Sequence, residues 1–366
     1  MDSMKKAFIP NNLPLHFVDW VRFISLIGQA NAEIARYDGI LQGISNPGIL
    51  LSPLTTREAV LSSRIEGTQA SLEEVLEYEA APSATADKYD DIQEIINYRK
   101  AMRFAVQWLN KKPITLNLIK EMHSILLDSV RGKDKYRGHF RTTQNYIAKA
   151  GDPIEKALFI PPSPARLTDA LSNFEKYFHY DEKDRLVQLA VLHAQFEIIH
   201  PFLDGNGRIG RLLIPLFLFE KSLLNSPMFY ISEYLEDNRA EYYVRLRAIT
   251  DEEKWDDWIE FFLKAVVAQA KTNSAKAKAI LALYNTKKER ITEITHSQYA
   301  IRILDAIFAR PIFNSADFIK TSKIPRPSAQ RLLAQLKKGG VIDTIKPGGP
   351  RKAEVFAFTK LLKIVG

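Results

Sequence analysis

Residues 186–224 read LVQLAVLHAQFEIIHPFLDGNGRIGRLLIPLFLFEKSLL and point to a helical architecture. Two apolar runs, 186–199 and 208–224, each cover several helical turns and are joined by a short glycine-containing loop. The most apolar part, 212–219, is far shorter than the ~20 residues of a membrane-spanning helix, so both helices are expected inside a protein core. Similar patterns along the rest of the chain predict a mainly α fold.

The loop between the two runs has the composition of a phosphate-binding site. Gly205 and Gly207 permit positive φ and close backbone approach, so successive N–H groups can form an anion-binding concavity. That concavity lies at the start of the next helix, where free N–H groups and the helix dipole favour phosphate. Arg208 and Arg211 are three residues apart, so both guanidinium groups can lie on one side of its first turn.

Two further side chains of the loop suit chemistry on a nucleoside triphosphate. Asp204 offers a hard oxygen for Mg²⁺ shared with phosphates, and His200 titrates near neutrality and can accept a proton from an attacking hydroxyl. Taken singly, these residues also fit an ordinary turn, a solvated arginine pair and a histidine helix cap. Their combination within residues 200–211 favours a nucleotide site.

From His200 to Arg211 the chain is similar to the Fic family, whose signature H-x-F-x-[D/E]-G-N-G-R-x-x-R it matches at every specified position. The resemblance implies a helical core that moves AMP from ATP to a protein hydroxyl and releases pyrophosphate. It also implies that His200 is the general base and that Asp204 holds Mg²⁺. The implied nucleotide-binding residues of the loop are Gly205, Asn206, Gly207, Arg208, Ile209, Gly210 and Arg211.

A second motif precedes the signature. The stretch SSRIEG, residues 62–67, resembles the inhibitory pattern [S/T]-x-x-x-E-[G/N] of the same family. Ser62 and Glu66 are four residues apart and so share one face of a helix that Gly67 ends. The resemblance implies that Glu66 pairs with Arg211, joins the nucleotide site and blocks correct seating of the γ-phosphate. For the pattern alone, an ordinary helix C-terminus is the alternative.

Two other segments resemble further parts of a Fic protein. Residues 157–162 end an irregular stretch similar to the family's flap, a β-hairpin that docks the target by strand addition. Phe159 and Ile160 are its expected docking residues, and an ordinary surface loop is the alternative. Residues 231–246 resemble the wall beside the adenosine, where Tyr243, or its neighbour Tyr242, contacts the nucleotide unless these aromatic rings belong to the core.

The C-terminal part of the chain is strongly basic. Residues 271–366 carry 19 Lys and Arg against six Asp and Glu, an excess of +13, whereas the remainder carries −5 and the whole chain +8. Residues 296–366 read as three helices and two short β-like runs, an order that resembles a winged helix-turn-helix. Its third helix, starting at Ser328, would expose Gln330 and Arg331 to a DNA major groove.

The wing of that module is expected around the PGGPRK turn, where Arg351 and Lys352 would lie near DNA phosphates. A module for protein contacts or dimerisation is the alternative. The whole chain is expected to divide into an N-terminal helical region with the inhibitory motif, a Fic core with the flap, a linker helix and the winged helix. The corresponding boundaries are 1–88, 89–270, 271–295 and 296–366.

Local patterns place several elements within these regions. After an irregular start, helices are predicted at 54–65 and 71–80, the second opened by a capping box of Ser71 and Glu74. Thr115 is expected to cap the helix that follows it. The 366 residues contain no cysteine, which excludes disulfides and thiolate chemistry. With no long apolar run at the N-terminus, this composition suits a cytoplasmic protein without a membrane partner.

These observations predict a protein adenylyltransferase (AMPylator) that is inhibited by Glu66 and modifies a Ser, Thr or Tyr hydroxyl. ATP is the expected substrate, Mg²⁺ the metal, and the target is another protein or a copy of the chain itself. DNA contact through the C-terminal module and a homo-oligomer stay open. The alternatives are AMP removal or phosphoryl transfer on the same scaffold, or a DNA-binding regulator whose core only senses nucleotide.

Overall fold

The computed structural model describes residues 6–83, 88–128, 135–148, 151–349 and 352–366. Within these residues the chain is mainly helical, with one small three-stranded sheet. The chain divides into two compact units. The first comprises Met1–Arg36 and Asn97–Ala270, and the second comprises Tyr37–Ile96 and Lys271–Gly366. No helix in the described part of the chain is long and apolar enough to cross a membrane.

The helices and strands follow one another along both units in the order given below. The helices up to the signature loop are α1 (Trp20–Gln42), α2 (Pro47–Leu50), α3 (Ser52–Ile65), α4 (Leu72–Ala80), α5 (Tyr89–Leu109), α6 (Leu116–Leu126), α7 (Pro164–Phe178) and α8 (Arg185–Ile199). After the loop come α9 (Asn206–Glu220), α10 (Ser232–Asp237), α11 (Arg239–Glu252), α12 (Trp255–Thr295), α13 (Ala300–Ala309), β1 (Ile312–Asn314), α14 (Ser315–Ser322), α15 (Arg326–Lys338), β2 (Asp343–Lys346), β3 (Val355–Ala357) and α16 (Thr359–Val365).

The core of the first unit surrounds α8 and α9, which are buried on all sides. Helix α8 begins at its N-cap Asp184, whose carboxylate accepts the N–H groups of Leu186 and Val187 at 2.9 Å each. A helix that is apolar all round is stable only when other elements cover it completely. Trp258 of α12 provides part of that cover and donates its indole N–H to the Ala190 carbonyl at 2.8 Å.

The second unit combines two segments that are remote in sequence. Strand β1 packs against α4, while α13 packs against α2 and α3, and α16 against α3. Asn314 donates its side-chain amide to the Ala80 carbonyl at 2.6 Å, and Lys346 forms an ion pair with Glu77 at 2.7 Å. Arg57 of α3 donates to the carbonyl of Gly366. The C-terminal elements therefore support the helices that precede the core.

The three strands form an antiparallel sheet in the order β1-β3-β2. Phe313 of β1 lies opposite Phe356 of β3, and both side chains are buried. A short bridge between Gly349 and Lys352 follows β2 and precedes β3. The two β-like runs predicted in the C-terminal part of the chain therefore become β2 and β3, whereas Arg351 lies outside the described residues.

Several local predictions are confirmed. The capping box of Ser71 and Glu74 starts α4, and the Thr115 hydroxyl accepts the N–H of Leu118 at the start of α6. Helix α3 ends just before Gly67, whose φ of +100° suits the residue that follows a helix. Such features depend on residues three or four apart, so the sequence alone reveals them.

The predicted irregular start of the chain is wrong over residues 20–42, because these form the 23-residue helix α1. Exposed Val21 and Ile24 share this helix with buried Phe23 and Ile34, which obscures a single apolar face. Gly28 and Gly39 inside it weaken the helical signal further. Helix α16 was also not expected.

The predicted core helix ending near residue 270 and the predicted linker helix form one continuous helix, α12. The part expected to be solvated buries Ala277, Ile280 and Ile291 completely. The third helix of the C-terminal module starts at Arg326, two residues before the expected Ser328. The functional boundaries at 88, 270 and 295 stay predictions.

Candidate nucleotide-binding and catalytic site

His200 ends α8 in a strained backbone conformation. Its φ of +47° is left-handed, and its N–H donates to the Phe196 carbonyl at 3.0 Å. Side-chain Nδ1 lies 3.2 Å from the Glu197 carbonyl oxygen. Because a carbonyl can only accept, Nδ1 carries the proton and Nε2 is the basic nitrogen of the neutral ring. This tautomer suits a general base.

The signature loop is closed by Asn206. The side-chain oxygen of Asn206 accepts the Phe202 N–H at 2.8 Å, and its amide donates to the Phe202 carbonyl at 2.9 Å. The side chain is buried, and these two bonds hold it inside the loop. Only the backbone N–H of Asn206 is therefore suited to the expected contact with phosphate.

Two features of the structure require glycine at position 205. Its φ is +77°, and a Cβ there would lie 3.3 Å from Leu126 and 3.6 Å from His123. The loop thus rests directly on α6. Any larger residue would strain the backbone at the start of α9, where the free N–H groups lie.

His123 supports the loop from below and carries no signal in the sequence. Its ring stacks on Phe202 with centroids 3.7 Å apart, and Nδ1 accepts the N–H of Gly138 at 2.9 Å. The protonated Nε2 then donates to the Asp204 carbonyl oxygen at 3.0 Å. Burial lowers the pKa of His123 to about 4, which keeps this neutral form at physiological pH.

Asp204 lies at the open side of the loop, next to the buried side chain of Arg208. The carboxylate is 44% exposed, lies 3.3 Å from the Arg208 guanidinium and accepts the Gly205 N–H at 2.6 Å. A half-exposed carboxylate beside free helix N–H groups fits Mg²⁺, which takes one or two carboxylates together with substrate phosphates. Within the described residues no group of three or more His, Asp or Glu side chains could hold a metal ion by itself.

The remaining signature residues lie deeper than the sequence suggested. The side chains of Arg208 and Arg211 are almost completely buried, and Ile209 is fully buried in the apolar core. Gly210 faces α8, because a Cβ on it would lie 2.5 Å from Glu197 Oε1. Close approach of α8 and α9 thus explains Gly210 without a direct contact to nucleotide.

Buried hydrogen bonds through His193 connect α9 to α11. The Tyr242 hydroxyl lies 3.0 Å from His193 Nε2, and His193 Nδ1 lies 3.3 Å from the Gly210 carbonyl. Burial, with a smaller contribution from the positive charge of Arg211, lowers the pKa of His193 to about 3. Tyr242 therefore belongs to the core. Tyr243 is 44% exposed, with the Arg239 guanidinium 6.0 Å from its ring centroid, so it remains the aromatic candidate for nucleotide contact.

The flap segment contains a short antiparallel pair. Ile147 donates its N–H to the Phe159 carbonyl at 2.9 Å, and Phe159 donates back at 3.2 Å. Of the expected docking residues, Ile160 is buried, and its carbonyl accepts the Phe8 N–H at 2.9 Å. Phe159 is half-buried with its ring 5.8 Å from that of Phe8. The exposed apolar side chains of the flap are Tyr146, Ile147 and Leu158.

The inhibitory motif lies in the second unit, whereas the signature loop lies in the first. Ser62 is fully buried in the last turn of α3, and Glu66 is the exposed residue that ends this helix. The Glu66 N–H donates to the Ser63 carbonyl at 3.0 Å. The helix end therefore fixes the backbone of Glu66.

Comparison with known families gives two adjacent matches. The profile of the Fic/DOC family N-terminal region matches residues 24–107, and that of the Fic/DOC family matches residues 113–218. Together they cover more than half of the chain and contain both motifs. The fold and the site define a Fic-type protein, and the chain belongs to the Fic/DOC family.

Curated relatives share only part of their length with this chain. A protein adenylyltransferase Fic of Drosophila grimshawi is 32% identical over 164 residues, which cover 42% of this chain and 31% of the relative. A probable protein adenylyltransferase of Aquifex aeolicus is 28% identical over 176 residues, which cover 48% of this chain and 51% of the relative. The matches therefore span about a third to a half of these relatives.

Two solved structures are similar in fold. A Fic family protein from Desulfovibrio desulfuricans has a TM-score of 0.58 at 20% identity, covering 91% of this chain and 95% of that protein. A Fic domain containing signalling protein from Bacteroides thetaiotaomicron has a TM-score of 0.53 at 17% identity, covering 69% and 97%. The likeness extends beyond the signature loop to most of the chain.

Proposed function

We propose that this chain is a protein adenylyltransferase that moves AMP from ATP to a Ser, Thr or Tyr hydroxyl of a target protein. The observation that carries the proposal is the complete signature on one loop, with the basic nitrogen of His200 at one end and Asp204 and Arg208 at the other. Names of the curated relatives agree with this activity.

In the proposed reaction, His200 Nε2 accepts the proton of the target hydroxyl as its oxygen attacks the α-phosphorus of ATP. One P–O bond forms to the hydroxyl oxygen, the bond to the β-phosphate breaks, and pyrophosphate leaves. Free N–H groups at the start of α9 and the guanidinium groups of Arg208 and Arg211 hold the phosphates in line. Positioning of this kind supplies most of the catalysis in such transfers.

Mg²⁺ fits beside Asp204 and would neutralise phosphate charge when bound. The chain's own contribution there is to fix the carboxylate. The Gly205 N–H and Arg208 bond its Oδ1, and His123 holds the Asp204 carbonyl.

We further propose that Glu66 inhibits the transfer. A carboxylate beside Arg211 would occupy the place of the γ-phosphate and repel it, so ATP would be held with its α-phosphorus out of line. The motif's position at the end of α3, with the backbone of Glu66 fixed by Ser63, supports this role. Participation of Glu66 in water activation during AMP removal is the alternative.

Labelled ATP distinguishes the candidate reactions. The full chain and its Glu66→Gly variant are incubated with α-labelled or γ-labelled ATP, and protein-bound label is measured. Label from the α position alone is expected. Label from the γ position alone would show that the chain transfers a phosphoryl group and not AMP. ATP binding without label transfer from either position would favour a nucleotide-sensing regulator.

A second candidate function concerns DNA. The element order α13-β1-α14-α15-β2-β3 and the sheet order β1-β3-β2 support a winged helix-turn-helix. Arg326, Gln330 and Arg331 are exposed along the first half of α15, the proposed groove-reading end. Exposed Lys352 and the neighbouring Arg351, which lies outside the described residues, are the proposed wing contacts.

Fluorescence anisotropy with a random-sequence DNA duplex tests this second function. The affinity for DNA should fall steeply as the salt concentration rises, because binding of the protein releases counterions from the duplex and added salt opposes that release. Arg331→Ala should weaken binding, whereas Arg166→Ala, which removes an exposed arginine of α7, should not. No binding at low salt would favour a module for protein contacts.

A further inference from the structure

Arg141 is a buried arginine whose hydrogen bonds end on the backbone. Only 2% of it is exposed, and its Nε donates to the His200 carbonyl at 3.0 Å. One terminal nitrogen donates to the Pro162 carbonyl at 2.5 Å and to that of Ile199 at 3.4 Å. The other donates to the Thr143 carbonyl at 3.3 Å. Within the described residues, every hydrogen bond from this guanidinium is made to a backbone carbonyl.

The positive charge of Arg141 lies at the C-terminal end of α8, which explains why it is tolerated although its described partners are all backbone carbonyls. Residues 199 and 200 end α8, and the last carbonyls of a helix have no partner in the helix and carry its negative dipole end. Burial lowers the pKa of Arg141 to about 10, so the guanidinium stays charged at neutral pH. A side chain with fewer N–H groups there would leave some of these carbonyls without this donor.

The contacts of Arg141 join two parts of the site. Thr143 and Pro162 flank the flap, whose strands pair through Ile147 and Phe159. The His200 carbonyl belongs to the catalytic residue itself. One rigid, planar group therefore fixes both ends of the flap and the backbone that carries the imidazole.

Asn145 adds a second connection of the same kind. Its side-chain amide donates to the His200 carbonyl at 3.3 Å and to the Phe202 carbonyl at 3.1 Å. The His200 carbonyl thus accepts from two residues of the flap's first arm, Arg141 and Asn145. The left-handed backbone of His200 is strained, and strained residues persist only where surrounding bonds hold them.

We propose that Arg141 is a positioning residue that holds the flap and His200 in one geometry, so that a target strand docked on the flap presents its hydroxyl to Nε2. This inference rests on the proposed adenylyl transfer. It adds that docking and catalysis are coupled through the backbone of residue 200. ATP binding uses the other end of the loop and should be independent of Arg141.

Arg141→Lys and Asn145→Ala test the inference in the chain of 366 residues. Lysine keeps the charge but replaces the fork with a single point donor. Arg185→Lys is the matched control, because Arg185 also donates to a backbone carbonyl, that of Tyr180, but at the opposite end of α8. All proteins are compared by hydrogen–deuterium exchange, ATP affinity, and self-modification with α-labelled ATP.

Arg141→Lys should speed exchange at the paired flap amides of Ile147 and Phe159 and slow self-modification about tenfold to a hundredfold, since small misplacements of reacting groups have effects of that size. Asn145→Ala should produce a smaller change in the same direction. ATP affinity should stay within about twofold in both. The Arg185→Lys control should match wild type in all three measurements.

Unchanged flap exchange and unchanged transfer in Arg141→Lys would overturn the inference. So would a loss of ATP affinity that parallels the loss of transfer, because that would indicate general damage to the loop. If wild type and Glu66→Gly transfer no AMP, the proposed function fails. The exchange measurement still decides whether Arg141 fixes the flap.

Discussion

Side chains inside the signature loop bond near neighbours, whereas the two segments of the second unit are joined by contacts between residues far apart in the chain. In the loop, Asn206 bonds Phe202 and Arg208 bonds Asp204, each pair only four residues apart. In the second unit, Asn314 bonds Ala80, which lies 234 residues earlier in the chain. Short-range contacts leave a readable spacing in the sequence, whereas long-range contacts leave none.

This difference suggests that the loop determines chemistry and the contacts of the second unit determine its stability, which experiments can test. Substitutions in the loop should change chemistry while leaving the second unit intact. Substitutions of residues that join the two segments of the second unit should change the stability of the entire unit. Glu66 belongs to the second unit, yet its substitution is expected to change the chemistry of the loop.

The largest effect is expected from His200→Ala. Loss of the proton acceptor should lower AMP transfer about 10²- to 10⁴-fold, the usual contribution of a general base. ATP should still bind, because the proposed phosphate-binding groups lie on α9. Label transfer from α-labelled ATP and calorimetric ATP titration measure the two quantities. Transfer that survives in this variant would remove His200 from its proposed role.

Phe313→Ala should cause the largest loss of stability in the second unit. Phe313 is 1% exposed and packs near Phe318 and Phe356, so the cavity should lower the free energy of unfolding by about 3–5 kcal/mol. Because β1 packs against α4, amide exchange should rise in α4 as well as in the C-terminal elements.

A matching cavity in the first unit provides the control. Phe217→Ala, in buried α9, should raise exchange around α7 and α9 but not in α4. If Phe313→Ala leaves α4 exchange at the wild-type level, the C-terminal elements fold independently of the N-terminal helices, and the second unit is not stabilised by contacts between its two segments.

The first unit should lose stability in acid because of His193. The folded pKa is held near 3 by burial, whereas the unfolded value is about 6.5, so the unfolded state binds the extra proton first. Stability is therefore complete above about pH 6.5 and falls as the pH drops towards 3, by at most about 1.4 kcal/mol per pH unit for this residue. Urea unfolding at pH 7, 6 and 5 measures the slope. His193→Gln should reduce the slope and leave the part due to His123, whose pKa burial also lowers, to about 4, whereas the same change at exposed His16 should leave the slope at its wild-type value.

Glu66→Gly should raise AMP transfer, including self-modification, about tenfold or more, a change of about 1.4 kcal/mol in the barrier. Arg211→Ala should not reproduce the rise, because the γ-phosphate contact is lost together with the inhibitory one. The double variant should behave as Arg211→Ala, since in the proposed mechanism both residues act through one contact. A Glu66→Gly protein no more active than wild type would leave Glu66 an ordinary helix-end carboxylate or a residue of AMP removal.

The smallest effect is expected from the ion pair between Lys346 and Glu77. Their side chains are 53% and 32% exposed, so Lys346→Ala should change stability by less than about 1 kcal/mol. A double-mutant cycle with Glu77→Ala, followed by thermal unfolding at low and high salt, measures the coupling. Coupling well above that size would mean that the two segments are joined by charge more than by apolar packing.

The sequence revealed the parts of the molecule that depend on neighbouring residues. It predicted the helices on either side of the signature loop, the caps at Ser71 and Thr115, and the end of α3 at Gly67. It missed α1, where apolar residues lie on more than one face. Its division of α12 into two helices was wrong, because Ala and Lys composition resembles a solvated linker.

The supporting residues of the site could not be predicted in the same way. His123 acts on Asp204 and Gly138, and Arg141 acts on Pro162 and His200, all more than ten residues away. A lone histidine or arginine in a helix or loop is common and has no spacing that marks its partner. The burial of Arg208 and Arg211 was likewise unexpected, since charged side chains usually lie at the surface.

The amino-acid sequence alone was enough to recognise the family, the residues of the signature and several helix ends, because each depends on side chains within one or two turns of one another. The groups that support those residues became visible only in the folded chain. In the structure His123 lies under the loop, and Arg141 bonds the carbonyls at the end of α8. Gly210 serves the packing of α9 on α8. Residues Lys271–Gly366 form one unit with Tyr37–Ile96. These outcomes follow from burying apolar surface and satisfying buried polar groups across long chain separations, and no local pattern encodes the partner.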